Sequence, residues 1–230
     1  MNKYLLMASL ALGSSSFATS SQALSLSGGS FTNAEQTTEI NQTGLLNLFD
    51  STLGILTGVT FTFTGSGTTS FNATNNAAQS QTFKIDSTVN LFYSSTNGAI
   101  QAALTTLSNP LVILTATTGF QTLGSSANAS YGPFTDSDLL TTSAFGGFLG
   151  NFQNAGGGTF DVGCNSLSGV AVTGGGGNIA TSQTTTAGCG ASISYEYDLA
   201  PPPSLPAPTS LSLIGVGVAA FAALRRRKAA

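Results

Sequence analysis

The chain has 230 residues and few charges: six Lys and Arg, nine Asp and Glu, and no His, for a formal net charge of −3. Five of the basic residues lie near the two ends, so the stretch between Ala23 and Pro201 holds Lys84 alone against all nine acids, a net charge of −8. Such a body repels nucleic acid and anionic lipid, whose binding needs clustered Lys and Arg, and nucleic-acid function is excluded. The lack of His excludes Ser-His-Asp and Cys-His catalysis and most zinc sites.

Residues 1–23 have the layout of a secretory signal peptide. Lys3 supplies a positive start, residues 4–12 form a short apolar core, and small residues stand at positions 21 and 23. The apolar core is too short for a membrane-spanning helix. The sequence therefore predicts export and cleavage by signal peptidase after Ala23.

Residues 24–200 are predicted to form one folded, β-rich domain. The chain's fifteen Phe, five Tyr and many β-branched residues supply the apolar surface that disordered chains lack. Val59, Phe61 and Phe63 alternate with threonines, which predicts a half-buried strand, and the following Gly-Ser-Gly at residues 65–67 predicts a turn.

The other predicted elements follow in chain order. Further strands are expected at residues 83–93, with Ser87 as the one polar exception, at 111–114 as a strand buried on both faces, at 170–172 and at 193–199. Helices are expected at residues 99–107 and around 138–152. Six to ten strands joined by loops rich in Gly, Ser, Thr and Asn predict an all-β fold, an antiparallel β-sandwich or jelly roll.

Two cysteines, Cys164 and Cys189, stand 25 residues apart in this domain. In an exported chain an even number of cysteines favours a disulfide, here worth about 3–4 kcal/mol. The alternative is a nucleophilic cysteine, which needs a base such as His, and this chain has none.

Two pairs of acidic residues are candidates for catalysis or metal binding. Asp136 with Asp138, or Glu196 with Asp198, could serve glycoside hydrolysis. The second pair is explained more simply as a solvent-facing row on a strand, and the first could bind Ca²⁺ through its oxygens or form an ordinary turn. The sequence therefore predicts no catalytic residues, no cofactor and no assigned metal site, with calcium at Asp136 and Asp138 left open.

The last thirty residues combine three segments. A Pro-rich linker at residues 201–208 contains Pro206, Ala207 and Pro208, and a 16-residue apolar stretch at 209–224 predicts a transmembrane helix. That helix would be about 24 Å long, shorter than the ~30 Å hydrocarbon core. Residues 225–230 form a basic tail, predicted to stay in the cytoplasm by the positive-inside rule. Its cations are Arg225, Arg226, Arg227 and Lys228. An ordinary C-terminal anchor remains an alternative.

This order of parts resembles the PEP-CTERM sorting signal of exopolysaccharide-producing Gram-negative bacteria. In that family the helix holds the exported protein in the inner membrane until an exosortase cuts near a Pro-Glu-Pro motif. The present chain departs from the family at Ala207, where Glu is usual. The resemblance implies an exosortase-type processing enzyme as a partner, transient membrane anchoring, and a final place at the cell surface or in the extracellular matrix.

The body resembles a second family. The motifs are Leu48-Phe49-Asp50 followed by residues 53–59, Asp138-Leu139 leading to Phe145-Gly146-Gly147, and Ser194-Tyr195-Glu196-Tyr197. They are similar to those of the choice-of-anchor E domain over about residues 24–200. This resemblance implies a secreted β-rich module upstream of a surface-attachment signal, with no established activity and no functional residues to carry over.

Two hypotheses of function follow. The first is a non-enzymatic surface or biofilm-matrix protein, because a sorting tail is attached to a body without catalytic residues. The alternative is a carbohydrate-binding module that recognises exopolysaccharide by stacking sugars on Tyr131, Tyr195 and Tyr197. The absence of Trp, the strongest stacking residue, counts against the alternative.

Overall fold

The computed structural model describes residues 23–106, 110–143 and 146–200. The predicted signal peptide up to residue 22, the Pro-rich linker, the transmembrane helix and the basic tail lie outside these ranges. Within them, no helix has the length and apolarity needed to cross a membrane.

The described residues form twelve strands, one α-helix and two short 3₁₀-helices. The strands are β1 (Leu24–Thr32), β2 (Gln36–Thr37), β3 (Asn41–Asn47), β4 (Phe49–Asp50), β5 (Gly54–Asn75), β6 (Gln81–Ser94), β7 (Leu111–Thr117), β8 (Gln121–Leu123), β9 (Asn128–Thr142), β10 (Gln153–Asn154), β11 (Thr159–Gly174) and β12 (Ile179–Leu199). The helices are α1 (Gly98–Leu104), η1 (Gly146–Phe152) and η2 (Gly175–Gly177).

Two antiparallel sheets pack into a β-sandwich, as the sequence predicted. The front sheet has the strand order β1-β12-β5-β9, with β2 beside β12. The back sheet has the order β3-β11-β6-β7, with β8 beside β6. A small third sheet pairs β4 with β10 in parallel. The all-β antiparallel prediction is confirmed for the residues that the structure describes, apart from this short parallel pair.

Alternation along the strands builds the core. In β5, Val59, Phe61 and Phe63 are almost completely buried, while the intervening threonines face outward. The rings of Phe61 and Phe63 stack with centroids 5.1 Å apart, and Phe61 meets Phe152 edge-on at 5.6 Å. Burial of each such ring contributes about 1.5–3 kcal/mol.

The predicted turn at residues 65–67 is wrong, because β5 continues through it without a break. A Cβ atom at Gly65 would overlap Leu91 and Ile113 of the back sheet, and one at Gly67 would lie 3.2 Å from Ile113. These glycines therefore allow the two sheets to approach each other closely, which is a known use of Gly inside a strand.

The prediction that residues 111–114 are buried on both faces is also wrong. Val112 is 45% exposed, whereas Leu111, Ile113 and Leu114 are buried. A register shift in the β6–β7 pairing lets Ile113 and Leu114 both point inward, as in a β-bulge. The strand lies at the edge of the back sheet.

One of the two predicted helices is found. Helix α1 begins after Asn97, whose Oδ1 accepts hydrogen bonds from the amides of Ala99 and Ile100 at 3.0 and 3.3 Å, a typical N-cap. It ends at Leu104, and residue 107 lies outside the described residues. The helix predicted around 138–152 is wrong: its first part is the end of β9, paired with β5, and its last part is the 3₁₀-helix η1.

The predicted disulfide is confirmed and joins the two sheets. Cys164 lies in β11 of the back sheet and Cys189 in β12 of the front sheet, and both are at most 2% exposed. Their Cα atoms are 6.7 Å apart. The bond therefore ties the sandwich together across its core.

The sandwich is elongated, and both ends of the described chain leave it at the same pole. Leu24 at the start of β1 pairs with Tyr197, and Leu199 at the end of β12 pairs with Gly54. We call this pole the base. Strand β12 has 21 residues, so the opposite pole lies about 65 Å away along the strand. We call that pole the tip; it carries η2 and the connection at residues 76–80.

Candidate functional site

Asp136 and Asp138 lie on one face of β9, at the edge of the front sheet, so the predicted turn is wrong. Both are exposed, and each accepts a hydrogen bond of 2.8 Å from the amide of the residue that follows it. In the described ranges, no three His, Cys, Asp or Glu side chains are grouped so as to hold a metal ion. The structure therefore adds no ligand to the two carboxylates.

Of the three tyrosines predicted to stack sugars, one lies in the core and two are half-buried. Tyr195 is completely buried, and its hydroxyl donates a hydrogen bond to the backbone oxygen of Asn47. Burial also raises its pKa above the ordinary value. The prediction that Tyr195 is available for stacking is wrong, because its ring belongs to the core.

Tyr131 and Tyr197 are half-buried. The ring of Tyr197 lies 5.1 Å from that of Phe49, and the ring of Tyr131 lies 6.1 Å from that of Phe83. One side of each tyrosine ring therefore packs against a phenylalanine ring. Glu196 is exposed, as expected for a polar row, but Asp198 is only half-exposed after a register shift in β12.

A cluster of polar side chains lies inside the sandwich. Gln183 Nε2 donates hydrogen bonds to the hydroxyls of Thr185 at 2.6 Å, Ser87 at 2.9 Å and Thr69 at 3.1 Å. Thr69 and Thr185 also share a bond of 2.8 Å, and the three hydroxyl residues are buried. We call these four residues the polar cluster. The sequence had signalled it at Ser87, the one polar residue on the buried face of β6.

The polar cluster reaches solvent at one side of the sandwich, where the chain crosses from β2 in the front sheet to β3 in the back sheet. Thr38 in this crossing bonds to both sheets: its hydroxyl lies 3.3 Å from Ser168 Oγ and its amide donates to Thr185 O at 3.0 Å. A cavity of about 230 Å³ opens there, lined by Thr37, Thr38, Ser168, Gln183, Thr184 and Thr185. We call this region the open corner.

A second cavity lies on the outer face of the front sheet. It has a volume of about 340 Å³ and is lined by Gly188 and Gly190 of β12, where a Cβ atom would lie 2.8 Å from Asn33 O and 2.7 Å from Phe31 O. One wall is the bulged segment around Asn33, and the opposite wall is Leu139 of β9. The remaining lining is rich in hydroxyls, with Thr32, Thr64, Ser66 and Ser137. We call this cavity the trough.

A carboxylate stands beside the trough. Glu35 Oε2 accepts a hydrogen bond of 2.6 Å from Thr186 Oγ1. Partial burial acts to raise the pKa of Glu35, yet the hydrogen bonds from Thr186, Ser66 and Thr68 together hold it below its ordinary value. Glu35 is therefore ionised at neutral pH and has its acceptor atoms occupied by hydroxyls of the sheet.

The trough and most of the open corner were not predicted from the sequence. Both depend on which strands become neighbours, and that pairing places Gly190 opposite Thr64 and Gln183 opposite Phe71. The available signals were Ser87 and the close pair of glycines at 188 and 190, which interrupt the alternation before Ile193.

The comparisons with known proteins give little. No family model and no curated protein matches the chain. A chain of infectious bursal disease virus, Gx strain, aligns with 86% of this chain and 47% of its own length, at 8% identity and a TM-score of 0.19. The parasporin-2 toxin of Bacillus thuringiensis aligns with 78% of this chain and 70% of its own, at 8% identity and a TM-score of 0.15. The chain spans about half the length of the viral chains, and similarity this low carries no argument.

Proposed function

We propose that the protein is an exported, non-enzymatic module of the cell surface or extracellular matrix. In this proposal residues 209–224 hold it for a time in the inner membrane, and an exosortase-type enzyme then cuts near Pro206, Ala207 and Pro208. Arg225, Arg226, Arg227 and Lys228 keep the far end of the helix in the cytoplasm. The layout of the tail and its resemblance to the PEP-CTERM signal motivate the sorting steps.

One observation carries the proposal: the chain enters and leaves the sandwich at its base. Leu24 and Leu199 lie at the same pole, so the linker that follows the domain starts there. The tip therefore points away from whatever holds the tail, about 65 Å along β12. This is the arrangement that a module displayed on a surface requires.

The disulfide supports export independently of the tail. Structural disulfides form and persist in oxidising compartments and are rare in the cytosol. The Cys164–Cys189 bond is buried between the sheets, away from reductants and exchange partners in solution.

Deleting residues 201–230 tests the sorting proposal. We expect the full chain to be found in the envelope fraction and at the cell surface, and the deleted chain to be released into the periplasm or medium, because the apolar segment is then gone. Fractionation followed by immunoblotting measures the distribution. Replacing the four terminal cations with serine is the comparison variant. It keeps the apolar segment and removes only the positive charges that follow it, so it separates the effect of the charges from the effect of the apolar segment. Unaltered retention of the deleted chain at the envelope would contradict the proposal.

A carbohydrate-binding module remains the second candidate, now because of the trough rather than the tyrosines. Its volume falls within the usual range for small-ligand sites, and its hydroxyls can exchange hydrogen bonds with those of a sugar. Thr64 of β5 and Ser137 of β9 line it side by side, whereas the side-chain amide of Asn33 donates to Thr43 O at 3.5 Å and to Cys189 Sγ at 3.9 Å.

Calorimetric titration with oligosaccharides of the host's exopolysaccharide tests this second function. We expect binding that falls about tenfold or more in the double variant Thr64→Val, Ser137→Ala, because each lost hydrogen bond to a ligand costs about 0.5–1.5 kcal/mol. Thr173→Ala, on the exposed side of the back sheet, is the control. The idea fails if the wild type binds no oligosaccharide, or if the double variant binds as well as the control.

A further inference from the structure

Two strand edges, one in each sheet, extend from the open corner toward the tip. In the back sheet, β3 pairs with β11 only as far as Asn165, so the edge of β11 at residues 169–174 extends beyond it. In the front sheet, β2 covers β12 at residues 186–187 and the Thr38 amide donates to Thr185 O, so the edge at residues 179–184 extends beyond them in the same direction. No strand of the described ranges pairs with either edge.

Glu39 marks where the covered part of β11 ends. Its Oε1 accepts hydrogen bonds from the amide of Ser168 at 2.9 Å and from its hydroxyl at 2.8 Å, and the amide of Ser166 donates to Ile40 O at 3.3 Å. Successive amides of a strand alternate in direction, so those of Val170 and Val172 point the same way as that of Ser168. The backbone of β11 is therefore ready to pair with a further strand from residue 169 to the tip.

Neither edge carries the charges that usually protect such strands. Native proteins guard exposed edges with Lys, Pro or inward-pointing charges. Between Asp161 and Glu196 this chain has no charged residue and no proline, although the body as a whole is strongly acidic. Two copies could therefore approach at this corner without the repulsion that they would meet elsewhere.

Two apolar side chains at the same corner lack cover. Val170 and Val172 are on the face of β11 that carries Cys164 and faces the core, but they remain 49% and 40% exposed. They are exposed because the sandwich ends at β11 and β12 here, with nothing beyond to close it among the described residues. A strand added on each sheet would continue the sandwich over them.

We propose that the occupant of the open corner is a second copy of this chain. The two copies are related by a two-fold axis normal to the sheets, so that β11 pairs antiparallel with β11 of the partner and β12 with β12 of the partner. Each edge spans six residues, about 20 Å, so the two pairings form together. This inference goes beyond the proposed surface function and does not depend on how the protein is sorted.

Cysteine cross-linking on the exported full chain tests the geometry. Single cysteines are placed one at a time at residues 169–174, and dimer formation under mild oxidation is followed on non-reducing gels. In an antiparallel two-fold pair only the residue nearest the axis faces its own copy, so we expect rapid cross-linking at one position or two adjacent positions. Thr117→Cys, exposed on β7 at the other edge of the back sheet, is the control. Equal cross-linking at every position, or none anywhere, would overturn the proposal.

Sedimentation velocity on the exported protein tests the affinity. We expect the wild type to form dimers and Val170→Lys, Val172→Lys to weaken association about tenfold or more, because four like charges then meet at the interface. Leu45→Lys, Val112→Lys adds the same charges at exposed apolar sites of the same sheet and should dimerise normally. Melting curves check that all variants are folded. A wild type that stays monomeric, or a control that dissociates equally, would refute the inference.

Discussion

Replacing Cys164 and Cys189 together with serine is expected to lower the free energy of unfolding by about 3–4 kcal/mol. The disulfide closes a loop of 25 residues and limits the conformations of the unfolded chain, and an effect of this size is typical of such a loop. For a domain of this length the melting temperature should fall by roughly 6–16 °C. Thermal or chemical unfolding followed by circular dichroism measures the change.

Two further observations make this result specific to the bond. Reduction of the wild type should produce a similar loss, since it breaks the same link between the sheets. Asn165→Ser, next to Cys164 but on the exposed side of β11, should leave the melting temperature nearly unchanged. A double variant as stable as the wild type would mean that the sheets are held together by core packing alone.

Phe61→Ala is expected to destabilise the protein by about 3–5 kcal/mol, the usual range for removing a buried aromatic ring. Phe61 is completely buried and packs against Phe63, Phe152 and Phe160, with centroids 5.1, 5.6 and 6.1 Å away. Its loss leaves a cavity where β5 meets η1 and the back sheet. Urea unfolding of the variant and the wild type, analysed with a common slope, gives the difference.

The neighbouring residue Thr62 supplies a matched control for that variant. It points to the outer face, where its hydroxyl bonds to that of Thr141 at 3.1 Å. Thr62→Ala should therefore cost only about 0.5–1.5 kcal/mol, the net value of one exchanged hydrogen bond. If the two variants were equally stable, the alternation of buried and exposed residues along β5 would be contradicted.

Alternation was sufficient to predict much of the fold. The alternation at residues 59–63, 83–93 and 193–199 identified β6 and parts of β5 and β12, because a half-buried strand repeats every two residues. Both β5 and β12 extend well beyond the predicted residues, and Leu199 at the end of the pattern is 63% exposed. The disulfide was also predictable, from an even cysteine count and the expectation of export. The alternating patterns depend on local sequence alone.

The remaining elements depend on tertiary partners. Gly65 and Gly67 suggest a turn when read locally, and only the packing of Ile113 against them shows why glycine is needed inside a strand. Leu139 and Leu140 suggest a helix when taken together, but pairing with β5 sends Leu139 outward and Leu140 inward. The bulge that turns both Ile113 and Leu114 inward has no local signal.

The candidate sites were less predictable than the fold. The trough needs Gly188 and Gly190 to lie between β5 and the bulged segment around Asn33, which are far apart in sequence. The open corner exists because β3 is shorter than the part of β11 that it could cover, and strand ends are poorly defined by composition. Tyr195 was predicted to stack sugars, and its packing beside Phe49 shows that the ring belongs to the core.

The shared pole of the two chain ends also determines how far the protein can reach. A single copy held by its linker extends about 65 Å outward. Two copies joined at their far ends, with about 20 Å of overlap, would measure roughly 110 Å between their points of attachment. In the proposed dimer those attachment points would face in opposite directions, an arrangement that would suit the bridging of neighbouring cells better than the linking of molecules within one membrane.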